Sequence, residues 1–185
     1  DLAEYQSHKR IEQGVSNSNY HLYTDKGRYI LTLFEAARVE PTDVAFFLKY
    51  ADTLKQGGVP VPEVMKDKRG RMMDFMKHLP TCIMEFLDSK DIPKSEITSD
   101  HCRKVGAILG KMNNAATNME ETQKNHYGLP KWSAWFARHK PVLDQSNAAF
   151  ATKLSLLLTE INHKWPDSLP KGTIHGDLFP DNVFF

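Results

Sequence analysis

The spacing of apolar residues changes part-way along this chain, and that change limits the folds it can adopt. In NYHLYTDKGRYILTLFE, two runs rich in Tyr, Ile, Leu and Thr flank Asp25-Lys26-Gly27, which predicts a β-hairpin with its turn at these three residues. From Cys102 to Met112 the apolar residues instead recur every three or four positions, which predicts one face of a helix. The order favours an α+β fold, with a strand-rich first part and a helical second part.

Start and stop signals place the other elements. Pro41-Thr42 and Gly57-Gly58 bound a predicted first helix. A second hairpin is predicted about KDKRGRMMDF, followed by an apolar strand at 81–87. Thr98 or Ser99 is expected to cap the next helix, and a longer helix is predicted over about 147–165, with a proline just after it.

Charge and composition exclude some classes of protein. Twenty-four basic and twenty-three acidic side chains give a formal charge of +1, which argues against nucleic-acid or anionic-membrane partners. No apolar run approaches the roughly 18 residues that a membrane-spanning helix needs. The two cysteines, Cys82 and Cys102, are expected to be reduced core residues of a cytoplasmic protein. The first residue, Asp1, suggests a trimmed amino end, and the oligomeric state stays open.

The chain closes on TIHGDLFPDNVFF, whose polar residues suit phosphoryl transfer. His175-Gly176-Asp177, four further residues and then Asn182 match the spacing of the catalytic loop in protein-kinase-like phosphotransferases. Such a reaction needs an acceptor for the hydroxyl proton, which Asp177 supplies, and hard oxygen ligands for Mg²⁺, which Asn182 supplies. His175 is expected to be a buried hydrogen-bonding support of the loop. The alternative is an ordinary surface turn.

IHGDLFPDNVFF, EQGVSNSNYHLYTDKGRYILTLFE, and FFL followed by GGVPVP together resemble the homoserine kinase branch of the aminoglycoside phosphotransferase and choline kinase superfamily. The resemblance implies a protein-kinase-like two-lobe fold that uses ATP and Mg²⁺ to phosphorylate the side-chain hydroxyl of L-homoserine, a step of threonine biosynthesis. It divides the chain into an ATP-binding lobe with an antiparallel sheet (1–83), a hinge and linker (84–97) and part of a mainly helical lobe (98–185).

The same resemblance implies a nucleotide site. The phosphate-covering turn would contain Gly14, Asn17, Ser18 and Asn19, although such residues also make ordinary turns. The backbone of the segment between the lobes would contact adenine, which makes Glu85, Phe86 and Leu87 candidate lining residues; their side chains could equally be core.

One departure from the general kinase pattern concerns the ATP-contacting lysine. Thr32 stands at its position, and the helix that should supply its glutamate partner carries Phe46-Phe47. Loss of both charges together avoids an unpaired buried ion, and the homoserine kinase branch shares these residues. Arg38 and Lys49 are candidates for the phosphate contact, against the alternative that both are solvated.

Rival functions stay open from sequence alone. The acceptor could be choline, an aminoglycoside or another hydroxylated amino acid, and the absent ion pair slightly favours a non-catalytic pseudokinase. Much of the acceptor lobe is expected beyond Phe185, with a second metal-binding carboxylate roughly a dozen to fifteen residues after Asn182. We therefore expect these 185 residues alone to be inactive.

Overall fold

The computed structural model describes residues 4–12, 17–35, 39–117, 119–121, 123, 125, 127–166, 168–169 and 171–185. Its centre is a five-stranded antiparallel sheet with the strand order β1-β2-β3-β5-β4. The strands are β1 Tyr5–Ile11, β2 Asn17–Thr24, β3 Gly27–Phe34, β4 Asp74–Met76 and β5 Leu79–Glu85.

The first predicted hairpin is confirmed. Thr24 lies opposite Gly27, and its hydroxyl donates to the Gly27 carbonyl over 2.9 Å. Gly27 has a φ of 145°, which explains why a residue without a Cβ stands there.

The second hairpin was predicted at the wrong turn. Its two strands are β4 and β5, and Lys77 and His78 form the turn with φ of 48° and 71°. Hairpin turns with two positive φ values strongly prefer Gly, Asn or Asp, so the sequence carries no signal there. The expected turn region is instead a loop in which the Asp67 carboxylate accepts the backbone N–H groups of Arg69 and Arg71, each over 2.8 Å.

Three long helices and two short 3₁₀ turns accompany the sheet in the described residues. They are α1 Pro41–Gln56, α2 Ser99–Ala116 and α3 Leu129–Lys164, with the 3₁₀ turns at Lys94–Glu96 and Pro180–Asn182. α1 has the predicted bounds, with Pro41 in its first turn and Gly57 as its C-cap. Thr98 caps α2 as predicted, because its hydroxyl accepts from His101 N–H while the His101 ring accepts from Thr98 N–H over 3.1 Å.

α3 is two helical segments joined at Asn147. This residue has non-helical φ and ψ of −161° and 82°, and its side-chain oxygen accepts the Phe150 N–H over 3.0 Å, which caps the second segment. The start predicted at 147 is thus confirmed. The first segment was not predicted: Pro130 lies in its first turn, where proline is favourable, but Pro141 lies inside it and interrupts the helical pattern.

The main core lies between α1 and one side of the sheet. Val44 and Leu48 of α1 pack with Cys82, and Met84 and Phe34 lie against this cluster. In an antiparallel sheet directly opposed residues share a side, so the register places further residues of β2 and β3 beside them. We call this side of the sheet the α1 face.

The prediction that both cysteines are core residues is half wrong. Cys82 is buried at 3% exposure, whereas Cys102 is exposed on α2, and both thiols are free. The rest of the helical face predicted from Cys102 to Met112 is covered, because Val105, Ile108 and Leu109 are half-buried and Met112 is buried. Apolar residues at helical spacing predict which side of a helix faces the core, but the elements that pack against that side determine which of its residues are buried.

The chain divides into two compact units, Asp1–Thr122 with Gly172–Phe185, and Gln123–Lys171. The first unit holds the sheet, α1, α2 and the closing loop; the second holds α3. The three-part lobe division drawn from the sequence stays a prediction. Among the described residues, none of the helices is long and apolar enough to cross a membrane.

Candidate active site

The closing loop brings Asp177 and Asn182 into direct contact. The Asn182 side-chain amide donates to the Asp177 carbonyl over 2.7 Å and to its carboxylate over 3.1 Å. The single 3₁₀ turn at Pro180–Asn182 makes this possible, since it folds the four intervening residues back on themselves. Both side chains are exposed, so the carboxylate is oriented but open to a substrate.

His175 supports the loop but is not buried. Its Nδ1 accepts the backbone N–H of Asp177 over 3.3 Å, which is the hydrogen-bonding role expected of it. The expected burial is wrong for the described chain, where His175 is exposed. Gly176 between them has a φ of 75°, a conformation that a side chain would strain.

The loop is held at its far end by the connector after β5. Phe185 and Lys90 exchange two backbone hydrogen bonds of 2.8 and 2.9 Å. The Phe185 ring also contacts the His101 ring of α2, with centroids 4.9 Å apart. Next to it lies an apolar cavity of about 340 Å³ lined by α2 and by Leu178, Phe179 and Val183 of the loop. These contacts fix where Asp177 lies relative to the end of β5.

The donor atoms of this loop fit a hard cation. Because both oxygens of Asp177 that Asn182 contacts are acceptors, the amide nitrogen of Asn182 must face them. The Asn182 side-chain oxygen is therefore turned away from Asp177 and has no hydrogen bond within the described residues. Mg²⁺ takes few protein ligands and prefers such oxygens, so the side-chain oxygen of Asn182 would suit it.

Three of the residues predicted to bind nucleotide lie on the α1 face. Asn19 is opposite Thr32, and the Thr32 hydroxyl donates to the Asn19 side-chain oxygen over 2.8 Å. Asn17 lies two positions from Asn19 and so faces the same way. Ser18 lies on the other face, opposite Leu33, and is not brought to this group. Gly14, which completed the prediction, lies outside the described residues.

At the position where the resemblance implies a lysine, Thr32 makes a neutral cross-strand hydrogen bond. Thr32 is only 4% exposed, which leaves little room for a solvated charge. On α1, Phe46 is buried and Phe47 is 49% exposed, so the region predicted to lack the partner glutamate is apolar. Of the two cations considered for the phosphates, Arg38 lies outside the described residues, and Lys49 pairs with Glu121 on the surface.

Another ion pair joins α1 to the end of β5. Lys55 Nζ donates to the Glu85 carboxylate over 2.8 Å, and the same carboxylate accepts the Glu63 N–H over 3.1 Å. The Lys55 hydrogen bond first, and the Glu63 N–H next, hold the pKa of Glu85 below its ordinary value. The Glu85 side chain, predicted to line the nucleotide site, is thus engaged in fixing the strand end.

Phe86, the next predicted hinge residue, contacts two polar side chains. The Arg28 guanidinium lies 3.4 Å from its ring centroid, and the His21 ring meets it edge-on at 5.6 Å. Leu87 is half-buried, and its carbonyl accepts from the Ser89 hydroxyl over 3.3 Å. The structure therefore brings Phe86 next to β2 and β3 of the α1 face.

His21 and Arg28 were not among the residues predicted from sequence. On β2, Asn17, Asn19 and His21 occupy alternate positions, and the register puts all of them on the side that packs against α1. Polar residues at alternate positions usually indicate the solvent side of a strand. Polar residues on the side of the strand that packs against α1 indicate a binding site, but only the strand register shows that these residues lie on that side.

The opposite side of the sheet carries a concavity of about 740 Å³, lined by Tyr29, Leu31 and Ile83 and by the loop before β4. Of the three cations that line it, Lys66, Lys68 and Arg71, the last is paired with Asp67 and Asp74, over 2.7 and 3.2 Å. None of the residues predicted for catalysis or nucleotide binding lines it. We therefore assign the site to the α1 face and the closing loop.

Solved structures share this fold. One is a spectinomycin phosphotransferase in complex with ADP and spectinomycin, with a TM-score of 0.67 at 12% identity over 99% of this chain and 61% of the other. A second is an amicoumacin kinase in complex with AMP-PNP and Ca²⁺, with a TM-score of 0.63 at 16% identity over 83% of this chain and 50% of the other. The protein-kinase-like two-lobe class predicted from sequence is confirmed by these likenesses.

Sequence relatives are more similar. A homoserine kinase of Bradyrhizobium sp. (strain ORS 278) is 37% identical over 185 residues, which are all of this chain and 56% of the relative. One from Parvibaculum lavamentivorans is 33% identical over the same span and 57% of its length. The chain thus spans a little over half the length of these curated relatives. The phosphotransferase enzyme family model matches residues 7–185, and the chain belongs to that family.

Proposed function

We propose that the complete protein transfers the γ-phosphoryl group of ATP to the side-chain hydroxyl of L-homoserine, giving O-phosphohomoserine and ADP. The observation that carries this proposal is the contact between Asn182 and Asp177 in the closing loop of a phosphotransferase-family chain. The acceptor is suggested by relatives named homoserine kinase, which align with this chain over its whole length.

Asp177 would act on the acceptor. Its carboxylate orients the homoserine hydroxyl and takes the proton as the new O–P bond forms and the bond to the β,γ-bridging oxygen of ATP breaks. Asn182 holds the carboxylate in place, and His175 holds the backbone of Asp177. Such positioning, together with neutralisation of charge, supplies most of the catalysis in phosphoryl transfer.

Mg²⁺ would be held by the side-chain oxygen of Asn182 and would neutralise charge on the phosphates. The nucleotide would lie along the α1 face, with phosphates near Asn17 and Asn19 and the base near Phe86. Two polar atoms of that face favour this placement, because they are buried and have no hydrogen-bond partner within the described residues: the side-chain oxygen of Asn17 and Nδ1 of His21. The free thiols of Cys82 and Cys102 suit the reducing cytosol as the compartment.

The test is phosphate transfer by the complete protein with Mg·ATP and L-homoserine, choline or kanamycin offered separately. We expect ³¹P NMR to show a new phosphate monoester only in the reaction that contains homoserine. ADP formation with choline or kanamycin and none with homoserine would contradict the acceptor. ADP binding without transfer to any acceptor would instead support the pseudokinase reading, which the replacement of the usual lysine by Thr32 favours.

A further inference from the structure

Strand β2 directs a row of polar side chains toward the covered side of the sheet. Asn17, Asn19 and His21 all lie on the α1 face, by their register with β3. Only Asn19 has a hydrogen-bond partner for its side-chain oxygen among the described residues, namely Thr32. The buried Asn17 oxygen and the buried His21 Nδ1 have none. Buried polar atoms are nearly always paired, so two unpaired ones in a row indicate a missing polar partner.

His21 lies at the hinge end of this row. It is four positions along the chain from Asn17, which corresponds to about 13 Å along a strand. Its ring contacts Phe86, which the Arg28 guanidinium also contacts. A ligand that extends from Asn17 to His21 therefore has one end at the start of β2 and the other at the connector after β5.

The charge state of His21 decides what it can bind. Burial first, then the positive charges of Arg28 and Lys9, lowers its pKa from the ordinary value of 6.5. The imidazole is therefore neutral at pH 7 and has one N–H donor and one acceptor nitrogen. A neutral ring beside an aromatic side chain suits a nucleoside better than a phosphate.

We propose that His21 is a nucleotide-contacting residue whose Nδ1 hydrogen-bonds the nucleoside part of ATP, at the adenine amino group or a ribose hydroxyl. The inference rests on the proposed nucleotide-dependent function. It assigns the two ends of the α1 face different tasks, with Asn17 and Asn19 near the phosphates and His21 with Phe86 at the nucleoside.

The experiment measures ADP binding to the complete protein by isothermal titration calorimetry. We expect His21→Phe to raise the dissociation constant of ADP five- to twentyfold and His21→Gln, which retains hydrogen-bonding groups, to raise it less than threefold. The KM for homoserine should stay within twofold for both. Thermal unfolding with an unchanged cooperative transition identifies the folded variants.

A matched control is His8→Phe. His8 is a histidine of the neighbouring strand β1 that lies opposite Leu22, on the other side of the sheet, and its Nδ1 already bonds the Tyr5 hydroxyl over 2.7 Å. We expect its ADP dissociation constant to equal that of the parent. Equal weakening by His8→Phe and His21→Phe, or a dissociation constant within twofold of the parent in folded His21→Phe, would overturn the proposal.

Two analogues locate the contact. If His21 bonds the ribose, 2′-deoxy-ADP should bind the parent more weakly than ADP does, and His21→Phe should bind the two nucleotides equally. If His21 bonds the adenine amino group, IDP should bind the parent more weakly than ADP does, and His21→Phe should bind IDP and ADP equally. If His21→Phe prefers ADP over each analogue by the same factor as the parent does, the proposal is overturned. ADP binding that depends on His21 without homoserine phosphorylation would leave this inference standing and refute only the acceptor; a parent that binds no ADP refutes both.

Discussion

The side-chain amide of Asn182 donates two hydrogen bonds to Asp177, one to the carbonyl over 2.7 Å and one to the carboxylate over 3.1 Å. The amide therefore fixes both the backbone and the side chain of the residue that we assign as the base. A carboxylate held in this way loses little freedom when it meets a hydroxyl. The bond also turns the other end of the amide toward the position where a metal ion would bind.

Asp177→Asn should lower kcat of the complete protein by at least a hundredfold, since a positioned general base contributes roughly 10²- to 10⁴-fold. The KM for ATP should change less than threefold, because the loop and not the nucleotide face is altered. Asp181→Asn is the matched control, as its carboxylate lies in the same closing loop, within the 3₁₀ turn that follows Asp177, and it should retain activity within twofold. A kcat for Asp177→Asn within tenfold of the parent would show that the base is another group.

Thr32→Lys should not create a better kinase. Thr32 is 4% exposed and α1 offers Phe46 and Phe47 where a glutamate partner would be needed. A buried cation without a partner costs roughly 3–5 kcal/mol. Thr32→Val loses only the bond to Asn19 and leaves its oxygen unpaired, for about 1–3 kcal/mol. The urea concentration at the midpoint of unfolding should be highest for the parent, lower for Thr32→Val and lowest for Thr32→Lys. A Thr32→Lys variant as stable as Thr32→Val would mean that the introduced lysine has an acidic partner.

Where sequence prediction succeeded, a local physical signal was present. Gly27 in a turn, Pro41 and Gly57 at the ends of α1, and Thr98 as a cap each act within a few residues. The spacing of Asp177 and Asn182 was equally local, and the structure brings the two into contact. Their catalytic roles remain a proposal.

Where sequence prediction failed, the deciding contact was distant or unusual. Lys77 and His78 form a turn that residues with side chains rarely form, and β5 must select it through pairing. Cys102 has the helical spacing of a core residue, but only packing decides which part of the stripe is covered. The side on which His21 lies follows from its register with Ile30, which pattern alone does not fix.

Lys55→Met should destabilise the protein in a pH-dependent way. Lys55 lowers the pKa of Glu85 through its hydrogen bond, so the stabilisation is complete above the ordinary value of 4.5 and is lost as the pH falls through the lowered pKa. Because the two side chains are 35% and 38% exposed, we expect a loss of at most about 1 kcal/mol at pH 7.

The check on Lys55 is the difference in melting temperature between parent and variant, measured from pH 7 to pH 3. It should shrink toward zero in the acidic part of this range. Lys164→Met removes a cation from an exposed pair with Glu160 on α3 and should cause a smaller change at pH 7. A Lys55→Met difference that stays constant with pH would show that the lost packing, not the charge, is responsible.

The two thiols should react at very different rates. Burial raises the pKa of the Cys82 thiol to about 12, whereas Cys102 is exposed. The thiolate is the reactive form, so Cys82 has almost none of it at pH 8 and is also inaccessible. With Ellman's reagent, Cys102→Ser should remove one rapidly reacting equivalent from the native protein and Cys82→Ala should remove none. Loss of a rapid equivalent in Cys82→Ala would contradict the buried position.

His21 should make the protein less stable in mild acid. Its pKa is lowered by burial, Arg28 and Lys9, so the folded state resists protonation that the unfolded chain accepts below 6.5. The stability contributed by the neutral ring is complete above pH 6.5 and is lost as the pH falls through the lowered pKa. Replacement by Phe removes this dependence, so His21→Phe should gain in melting temperature relative to the parent between pH 7.5 and pH 5.

Removing one of the two cations that face His21 separates its effect from that of burial. Arg28, from β3, and Lys9, from β1, both lower the pKa of the ring, and burial has the larger effect. Arg28→Gln should therefore reduce the loss of melting temperature between pH 7.5 and pH 5 without abolishing it, while His8→Phe gives the baseline for losing an exposed histidine. A difference between His21→Phe and the parent that does not vary with pH would mean that this ring does not titrate in a covered site.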